Sequence, residues 1–427
     1  TQISADNLVA QLLAVSARER VCILDSCGVG HLGSHLLIAG IRPVDTIELK
    51  GESANATLDR LDNCLSETKF AFIFSISYDF GLELEGIRKR EKEIASGPEP
   101  DVFISQFDCL IVYDYLTGEM EFKGNQSKFA DLRELILGAE PFKHDPRIGA
   151  TSISSNFSKS RYLSEIENIK EYIREGETYQ TNLTQQFRAV LPKALSPQSI
   201  FWRIRNKHPA PFAAFLTRTS DHVVSISPER FARISNGRIS TSPIKGTRPR
   251  GPSPAEDLYL RKELIESSKD RAENTMIVDL LRNDIGRICE FGSVVVEKHC
   301  EVEEHPTLFH LVSTVSGNIR NDVKFSDIVK AIFPCGSITG CPKIRTMELI
   351  DQMETVDRGL SMGAIGYCDF ENTIDLSVAI RTMVVKDGEA VFNVGGGIVI
   401  DSDPESEYEE TLTKASALLQ ALKTEFP

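Results

Sequence analysis

The sequence predicts an α+β protein whose β-strands are mainly antiparallel. After about residue 151, strand-like runs are joined by short turns and interspersed helices, without the regular strand–helix–strand alternation of a doubly wound sheet. Asn236-Gly237 lies between strand-like runs at 231–235 and 238–242, and this dipeptide is the strongest short signal for a β-hairpin. Asp387-Gly388 is a second such signal. We therefore expect antiparallel neighbours in two separate parts of the chain.

The first 150 residues contain two strand-like runs separated by a charged segment. The runs at 70–76 and 102–113 flank residues 88–101, RKREKEIASGPEPD, which predict an exposed loop. A similar strand-like run at 374–386 precedes Asp387-Gly388. We place a boundary at about residue 151 and expect segments 1–150 and 151–427 to form one large structural domain.

Residues 28–33, GVGHLG, match the G-x-G-x-x-G pattern of dinucleotide-binding loops and follow the strand-like segment VCILDS. The context differs, because the following GIRPVDTIEL shows no clear second strand of a βαβ unit. An NAD-dependent oxidoreductase built on Gly28 to Gly33 is therefore a distant alternative. His31 and His35 have the spacing of two ligands on a helix, but no third ligand is placed near them, so two incidental histidines are favoured.

The Asn236-Gly237 hairpin predicts a close pair of ionisable residues. In a two-residue loop, Glu229 would face Ile244 across the ladder, with Lys245 next to it. Pro228 and Pro243 each lack a backbone N–H that could donate to the ladder, so the pairing is expected to end here. The side chains of Glu229 and Lys245 can then turn into a cavity. A surface Glu–Lys pair at a strand end is the alternative explanation.

Three predicted helices follow from capping signals and periodicity. One runs from Lys159 to Arg174, and a second begins near Ser267, carrying Glu273 about two turns in. The third begins at Asp403-Pro404. Its predicted core stripe consists of Tyr408, Leu412, Ala415, Leu419 and Leu422.

Carboxylates on the last two helices suggest a metal site. Glu407, Glu410 and Lys414 fall within about 60° of each other on the last helix, away from its predicted core stripe. Together with Glu273 they suit Mg²⁺, which takes a few carboxylates plus waters and substrate oxygens. A solvated first helical turn is the alternative explanation of the Glu pair.

Nine motifs follow one another between residues 177 and 414. They are GETYQTNLTQQF (177–188), SPERF (227–231), SPIKGTRPRG (242–251), SKDRAENTMIVDLLRNDIGR (268–287), HLVSTVSG (310–317), FPCGSITGCPK (333–343), GAIGY (363–367), AIRTM (379–383), and GGGIV with EYEET (395–411). In this order they resemble the chorismate-utilising enzymes, a family that includes anthranilate synthase component I, aminodeoxychorismate synthase component I, isochorismate synthase and salicylate synthase. The N-terminal 150 residues resemble the family only loosely.

The resemblance implies two packed, mainly antiparallel β-sheets with outer helices, and a cleft that binds chorismate and Mg²⁺. It implies that Glu273 and Glu410 hold the metal with Glu407 close by, and that Glu229 is the general acid for the departing 4-hydroxyl group. The other residues that the resemblance assigns to substrate binding are Thr247, His310, Gln180, Tyr367, Arg381, Lys414 and the backbone of Gly395, Gly396 and Gly397.

Lys245 and Gln180 distinguish members of this family. Anthranilate synthases resemble this stretch but usually carry Ala in place of Lys245, whereas aminodeoxychorismate synthases read PIKGT, as here. Amination at C4 with retention needs two displacements, and a lysine that attacks C2 supplies the first. Water-adding members carry a Lys base where Gln180 stands, and Gln cannot deprotonate water. The resemblance therefore implies aminodeoxychorismate synthase component I, the large subunit of para-aminobenzoate synthase, in folate biosynthesis; anthranilate synthase component I is the alternative.

The covalent mechanism requires opposite pKa shifts at two residues. Lys245 must be neutral to attack, and we expect burial and a cation, either Mg²⁺ or Arg248 or Arg250, to lower its pKa. Glu229 must stay protonated near neutral pH, which desolvation in a closed cleft would favour.

Composition limits the partners. Sixty-two acidic against 48 basic residues give a net charge of -14, which disfavours nucleic acid and anionic membranes. Nine cysteines without a C-x-x-C pair indicate a reducing compartment, and we expect a cytoplasmic protein, although a removed transit peptide stays open. No glutamine amidotransferase signature is present, so ammonia is expected from a separate glutamine amidotransferase subunit or from free ammonium.

Overall fold

The computed structural model describes residues 3–94, 99–304 and 308–423. Its α-helices are α1 (Ala5–Val15), α2 (Ala54–Leu65), α3 (Tyr78–Leu84), α4 (Phe129–Leu137), α5 (Lys159–Arg174), α6 (Pro197–Lys207), α7 (Pro254–Glu266), α8 (Ser268–Gly286), α9 (Phe325–Ile332), α10 (Lys343–Met353) and α11 (Pro404–Leu422). Its β-strands are β1 (Val21–Asp25), β2 (Leu36–Ile41), β3 (Asp45–Leu49), β4 (Ala71–Ile76), β5 (Val102–Phe107), β6 (Cys109–Asp114), β7 (Glu119–Gly124), β8 (Ser152–Ser155), β9 (Gln180–Val190), β10 (Phe212–Thr217), β11 (His222–Ser227), β12 (Arg230–Ser235), β13 (Arg238–Thr241), β14 (Ile244–Pro249), β15 (Val295–Glu304), β16 (Leu308–Asn318), β17 (Gly340–Cys341), β18 (Ala364–Cys368), β19 (Ile374–Val378), β20 (Thr382–Lys386) and β21 (Glu389–Ile398).

Two antiparallel sheets organise these strands, so the predicted fold class is confirmed. The first sheet has the order β17-β9-β21-β20-β11-β10-β1-β2-β6-β7, with β8 on β9. The second has the order β14-β16-β13-β12-β19-β18-β4-β5-β3, with β15 on β16. Strands from before and after residue 151 are neighbours in both sheets, because β1 pairs with β10 and β4 pairs with β18.

Alternating side chains place the core on both faces of the first sheet. In β1, Val21 and Ile23 pack with Leu12 of α1, whereas Cys22 points to the opposite face. There it joins a cluster with residues such as Ile73 of the second sheet. The two sheets therefore pack face to face, with helices covering outer surfaces.

Two apolar runs that the sequence predicts as continuous strands each divide between the two sheets. The run at 102–113 breaks at Asp108 into β5 of the second sheet and β6 of the first. The run at 374–386 breaks before Arg381, whose φ of 48° lies in the left-handed region, into β19 and β20. Hydrophobicity continues through both breaks because most residues on either side are buried, so periodicity alone does not reveal the crossings.

The local turn and cap signals are confirmed. Ser235 pairs with Arg238 around Asn236-Gly237, and Lys386 pairs with Glu389 around Asp387-Gly388, with positive φ at all four turn residues. The predicted helix starts are also present, capped by the side chains of Ser158, Ser267 and Asp403. Among the described helices, none has the length and apolar composition needed to cross a bilayer.

Two N-terminal predictions agree with the structure. β1 and β2 are antiparallel neighbours, so residues 28–33 form a hairpin connection and not the phosphate-binding turn of a βαβ unit, which the sequence context had already disfavoured. The described residues 88–94 lie in a loop and are exposed, except that the side chain of Lys92 is 8% exposed and lies 2.8 Å from Asp351. The ion pair with Asp351 offsets the cost of burying the Lys92 ammonium group, which the composition of the loop predicts to be in solvent.

Candidate active site

Lys245 belongs to a different ladder from the one predicted. β14 pairs with β16, with Ile244 opposite Val312, while the β12–β13 ladder joins only residues 233–235 and 238–240. Glu229 and Ile244 are therefore not partners in that ladder, although the Glu229 carboxyl group accepts a hydrogen bond from the Ile244 backbone. Glu229 and Lys245 nevertheless lie close enough for each charge to shift the pKa of the other.

Lys245 is held by Glu273. The amine Nζ donates a hydrogen bond to Glu273 Oε1 at 2.7 Å, and both side chains are largely buried. The next residue, Gly246, has a φ of 84°, and a Cβ there would lie 3.0 Å from the side chain of Asp270 in α8. A glycine thus permits the close approach of β14 and α8 that brings the amine and the carboxylate together.

The surrounding charges favour the ammonium form of Lys245. Burial lowers the pKa of this amine, but Glu273, Glu229 and Glu410 raise it further, so that the net direction is upward. The described side chains therefore stabilise the charged amine, in contrast to the predicted downward shift.

The two arginines that the sequence suggests as neighbouring cations are engaged elsewhere. Arg248 lies 3.0 Å from Asp270, and Arg250 lies 2.6 Å from Asp257. Each guanidinium is paired with a carboxylate and adds little net positive charge near Lys245. The prediction that Arg248 or Arg250 depresses the pKa of the amine is therefore wrong for the described side chains.

Glu229 shows the pKa shift that an acid catalyst requires. Burial raises the pKa of its carboxyl group to about 7, while Ser337, Lys245 and the backbone of Ile244 oppose this rise. Its side chain is almost fully buried, and Oε1 has no hydrogen-bond partner among the described residues. Burying a polar oxygen without a partner is unfavourable, which marks Oε1 as a position for a ligand.

A strip of glycines on β21 forms the floor between these side chains. A Cβ at Gly397 would lie 2.4 Å from Gln180 Nε2 and 3.2 Å from Glu273 Oε1. A Cβ at Gly396 would lie 3.4 Å from Glu407 Oε2. Gln180 is fully buried, and within the described chain neither atom of its amide has a hydrogen-bond partner. The strip thus lies among the side chains of Gln180, Glu273 and Glu407, of which Gln180 has the amide without a described partner.

Helix α11 contributes two carboxylates and an amine at the edge of this strip. Glu407 is buried and accepts a hydrogen bond from Ser402 at 2.7 Å. Lys414 lies 2.7 Å from Glu410 and donates to the Gly395 carbonyl at 3.2 Å. Two turns of helix thus carry all three charged side chains beside β21.

The buried face of α11 differs from the predicted stripe. Tyr408, Leu412 and Leu419 are only half-buried, whereas the buried face includes Glu407, Thr411, Ala415, Leu418 and Leu422. The face is displaced by about one residue because α11 packs on both β21 and α5, where Tyr408 contacts Tyr162 at its edge. The hydrophobic pattern therefore predicted Glu407 to lie away from the buried face, whereas the structure places it on that face.

The carboxylates of Glu407 and Glu410 are oxygen groups of the kind that Mg²⁺ binds. Burial raises the pKa of the Glu407 carboxyl, and the negative charge of Glu410 raises it further. Within the described residues, no three His, Cys, Asp or Glu side chains form a ready metal cage. Mg²⁺ does not need one, since it binds through one or two carboxylates plus waters and substrate oxygens.

The remaining predicted residues divide into two groups. Thr247 lies two residues after Lys245 on β14 and is paired with His310 on β16, with 2.9 Å between Thr247 Oγ1 and His310 Nδ1. Arg381 lies next to the segment that carries Glu229, since its carbonyl accepts from the Ile226 amide. Burial lowers the pKa of the Arg381 guanidinium, and among the described side chains it has no carboxylate partner. A largely buried cation of this kind is suited to an anionic ligand.

Tyr367 is not brought to the glycine strip. It lies on β18 opposite Asp375 and lines a separate cavity of about 90 Å³ together with Asp25, Ser34 and Arg230. Its assignment to the substrate site stays a prediction. The motif predicted a tyrosine near the cleft, but the strand alternation that decides which face it occupies depends on the long-range pairing of β18.

Two residues near the site had no predicted role although both belong to quoted motifs. Ser337, in FPCGSITGCPK, lowers the pKa of Glu229 by hydrogen bonding. Lys269, in SKDRAEN, places its Nζ 4.0 Å from Glu407 Oε1. Their motifs were visible in the sequence, but their contacts join segments far apart in the chain.

Comparison with known proteins agrees with this arrangement. Residues 19–420 match the family described as chorismate binding enzyme. The chain is 38% identical over 348 residues to aminodeoxychorismate synthase component 1 of Escherichia coli (strain K12), covering 81% of this chain and 75% of that protein. It is 36% identical over 368 residues to an anthranilate synthase component 1 of Haloarcula marismortui, covering 81% of this chain and 74% of that protein.

The fold agrees as well. The crystal structure of anthranilate synthase component I from Streptococcus pneumoniae TIGR4 superposes with a TM-score of 0.79 at 28% identity, covering 91% of this chain and 93% of that one. The family match covers nearly the whole chain, and the site residues assemble around a glycine strip. The chain belongs to the chorismate-binding enzyme family.

Proposed function

We propose that this chain is an aminodeoxychorismate synthase component I, which converts chorismate and ammonia into 4-amino-4-deoxychorismate for 4-aminobenzoate and folate synthesis. The observation that supports this choice is Lys245, a buried amine 2.7 Å from Glu273 and close to Glu229. Overall similarity does not decide between the two synthases, because relatives of both names match at 36–38% identity. A nucleophile at this position serves amination at C4.

In the proposed reaction, Lys245 and Glu229 act on opposite ends of one displacement through the conjugated ring diene. The Lys245 amine attacks C2 of chorismate, both conjugated ring double bonds shift, and the 4-hydroxyl group leaves as water with a proton from Glu229. Ammonia then attacks C4, both double bonds shift back, and the C2–N bond to Lys245 breaks. Two displacements return the lysine unchanged and place nitrogen at C4.

The other polar groups are proposed to hold the substrate. The Arg381 guanidinium would pair with a carboxylate of chorismate, and Lys414 and the backbone of Gly396 would contact the pyruvyl group. Glu273 and Glu410, with Glu407 beside them, would hold Mg²⁺, whose positive charge would bind the ring carboxylate. Gln180 would donate or accept with its unpartnered amide and could not act as a base.

Lys245 and Glu229 are best treated as one coupled titrating pair. With the pKa of Glu229 at about 7 and that of Lys245 above its ordinary value, the pair holds two protons below about pH 7 and one above it. The reactive form has a neutral amine and a protonated carboxyl, and therefore holds one proton. Transfer of a proton from Lys245 to Glu229 creates both reactive groups at once.

This proton count predicts the pH dependence of the reaction. We expect kcat/KM for chorismate to rise with pH through about 7, where the one-proton state forms. Glu229→Gln should remove this limb and lower kcat/KM by about 10²- to 10⁴-fold, the usual contribution of a positioned acid. Initial rates across the neutral range measure both effects. A wild-type rate that falls through pH 7 would show that Lys245 loses its proton before Glu229.

A direct assay tests the proposed function. The purified chain, incubated with chorismate, Mg²⁺ and ammonium, should consume chorismate and form 4-amino-4-deoxychorismate. Adding an aminodeoxychorismate lyase should then release 4-aminobenzoate, detected by chromatography and mass. A 2-amino product or anthranilate would instead identify an anthranilate synthase, the alternative suggested by relatives of that name.

A second arm of this assay tests the proposed partner. Both relatives are named component 1, which suggests a further subunit in those proteins. We propose that a separate glutamine amidotransferase supplies ammonia to this chain. With glutamine in place of ammonium, product should form only after such a subunit is added, whereas turnover with glutamine by the chain alone would exclude the need for it.

A further inference from the structure

Asn182 on β9 lies beside the glycine strip. It is paired with Gly397 on β21, and residues directly opposite each other in antiparallel strands point to the same face. A Cβ at Gly397 would lie 2.4 Å from Gln180 Nε2 and 3.2 Å from Glu273 Oε1, so this face is the one that carries the site. Gln180 lies two residues before Asn182 on the same strand and points to that face as well. The Asn182 side chain therefore faces the site.

The amide of Asn182 is buried, and one end of it is unsatisfied. The residue is 7% exposed, and its Oδ1 has no hydrogen-bond partner among the described residues. The same holds for both amide atoms of Gln180 and for Glu229 Oε1. A buried polar atom without a partner costs free energy, which a ligand that supplies the missing hydrogen bond would recover. A small donor that entered here could bond to neighbouring amide groups on β9.

The backbone of Asn182 is fixed against the segment that contacts Glu229. Arg358 donates from Nη2 to the Asn182 carbonyl at 2.7 Å and from Nη1 to the Ile338 carbonyl at 3.1 Å. Ser337, which precedes Ile338, hydrogen-bonds to Glu229. Asn182 therefore lies on the Glu229 side of the site.

We propose that Asn182, together with Gln180, holds the ammonia molecule that attacks C4. This inference rests on the proposed function, because ammonia is a substrate there. Retention at C4 places the new nitrogen where the hydroxyl group left, and in that reaction the hydroxyl group leaves beside Glu229. A hydrogen-bond acceptor on the Glu229 side of the site is in the right place to hold the incoming nucleophile.

A neutral amide suits ammonia better than a carboxylate does. The amide oxygen accepts an N–H of ammonia and leaves the lone pair free, whereas a carboxylate favours the ammonium ion, whose lone pair is bonded to a proton. In the second displacement the lone pair forms the C4–N bond, both ring double bonds shift back, and the C2–N bond breaks with its electron pair on Lys245. The new C4 ammonium group then gives a proton to the Glu229 carboxylate, which restores the acid.

Removing the Asn182 carbonyl should weaken the second displacement and spare the first. Asn182→Leu removes the hydrogen-bonding groups at similar size, and Asn182→Thr is a second variant with a side chain that strands accommodate well. In each variant we expect KM for ammonium to rise about tenfold, the scale of one lost hydrogen bond. Formation of the chorismate adduct on Lys245 without ammonium should keep its wild-type rate, because ammonia takes no part in that step.

Gln185→Leu is the matched control on the same strand. Gln185 is buried, its Oε1 accepts from Ser155 at 2.8 Å, and its position on β9 points it to the opposite face from Asn182. This variant also loses a buried amide, so it reports the effect of such a loss on the fold alone. It should keep the wild-type KM for ammonium and the wild-type rate of adduct formation, and thermal unfolding compares the stability of all three variants.

Two measurements on the full chain decide the outcome. Initial rates across ammonium concentrations give KM, and mass spectrometry of the intact protein after rapid quenching gives the rate of adduct formation. An unchanged KM in both Asn182 variants would overturn the ammonia site and leave the proposed function intact. An equal fall in adduct formation would also overturn it, because Asn182 would then act on chorismate or on the fold. If the wild-type chain formed neither the adduct nor the 4-amino product, the proposed function itself would fail, and this inference with it.

Discussion

Replacing Lys245 by alanine is expected to lower formation of 4-amino-4-deoxychorismate by more than about 1,000-fold, the scale of losing a covalent nucleophile. The amine lies in a buried cluster with Glu273 and Glu229, and alanine has no nitrogen that could replace it. The smaller side chain also leaves space beside C2. Ammonia could attack there directly and give traces of a 2-amino product.

Lys245→Arg separates nucleophilicity from charge. A guanidinium preserves the positive charge next to Glu273, yet it stays protonated at all accessible pH values and cannot attack C2. We expect this variant to bind chorismate better than Lys245→Ala while being equally inactive in C4 amination. If both variants retained the 4-amino product, Lys245 would be a charge-positioning residue and the covalent mechanism would be wrong.

A covalent intermediate can also be seen directly. Chorismate with Mg²⁺ and without ammonium should give the wild-type protein a mass increase that corresponds to chorismate minus water, since the 4-hydroxyl group leaves when the C2–N bond forms. Neither variant should show it. Mass spectrometry of the intact protein, followed by peptide mapping to Lys245, makes this readout independent of steady-state turnover.

Local signals in the sequence predicted the turns and the helix starts correctly. Asn236-Gly237 and Ser267 each act within a few residues, through positive φ and through a side-chain cap, so their structures follow from nearby residues. The crossing of the chain between sheets at Asp108 depends instead on which distant strands pair. Such pairing is set by packing across the whole domain, and an apolar run does not encode it.

The site shows the same division. The sequence brought Lys245 near Glu229, although by a ladder that the structure does not contain. It did not predict the contact of Lys245 with Glu273, because that carboxylate was assigned to metal binding. It also did not predict that β14 pairs with β16, a strand more than 60 residues further along the chain. Consequently the expected downward pKa shift of Lys245 was reversed by a neighbour that composition and spacing do not reveal.

The proposed metal ligands give the second large effect. Glu410→Gln should lower Mg²⁺-dependent turnover by more than about 100-fold, because loss of a direct ligand should exceed the effect usual for outer-shell partners. Its side chain is 55% exposed and forms an i, i+4 pair with Lys414, so stability should change by less than about 0.5 kcal/mol. Glu273→Gln should lose turnover as well, but it also removes the partner of Lys245, which makes Glu410 the cleaner test.

Glu409→Gln is the matched control on α11, since Glu409 is 64% exposed and lies 3.6 Å from Lys159, on another side of the helix. It should keep normal turnover and normal metal binding. Binding of Mg²⁺ or the spectroscopic substitute Mn²⁺, measured in the presence of chorismate, provides a readout apart from activity, and thermal unfolding checks the fold. Glu410→Gln that turned over normally at low Mg²⁺ would contradict its assignment as a ligand. The positive charge needed by the substrate carboxylate would then have to come from side chains such as Lys414 and Arg381, two cations that lie near the glycine strip and the segment of Glu229.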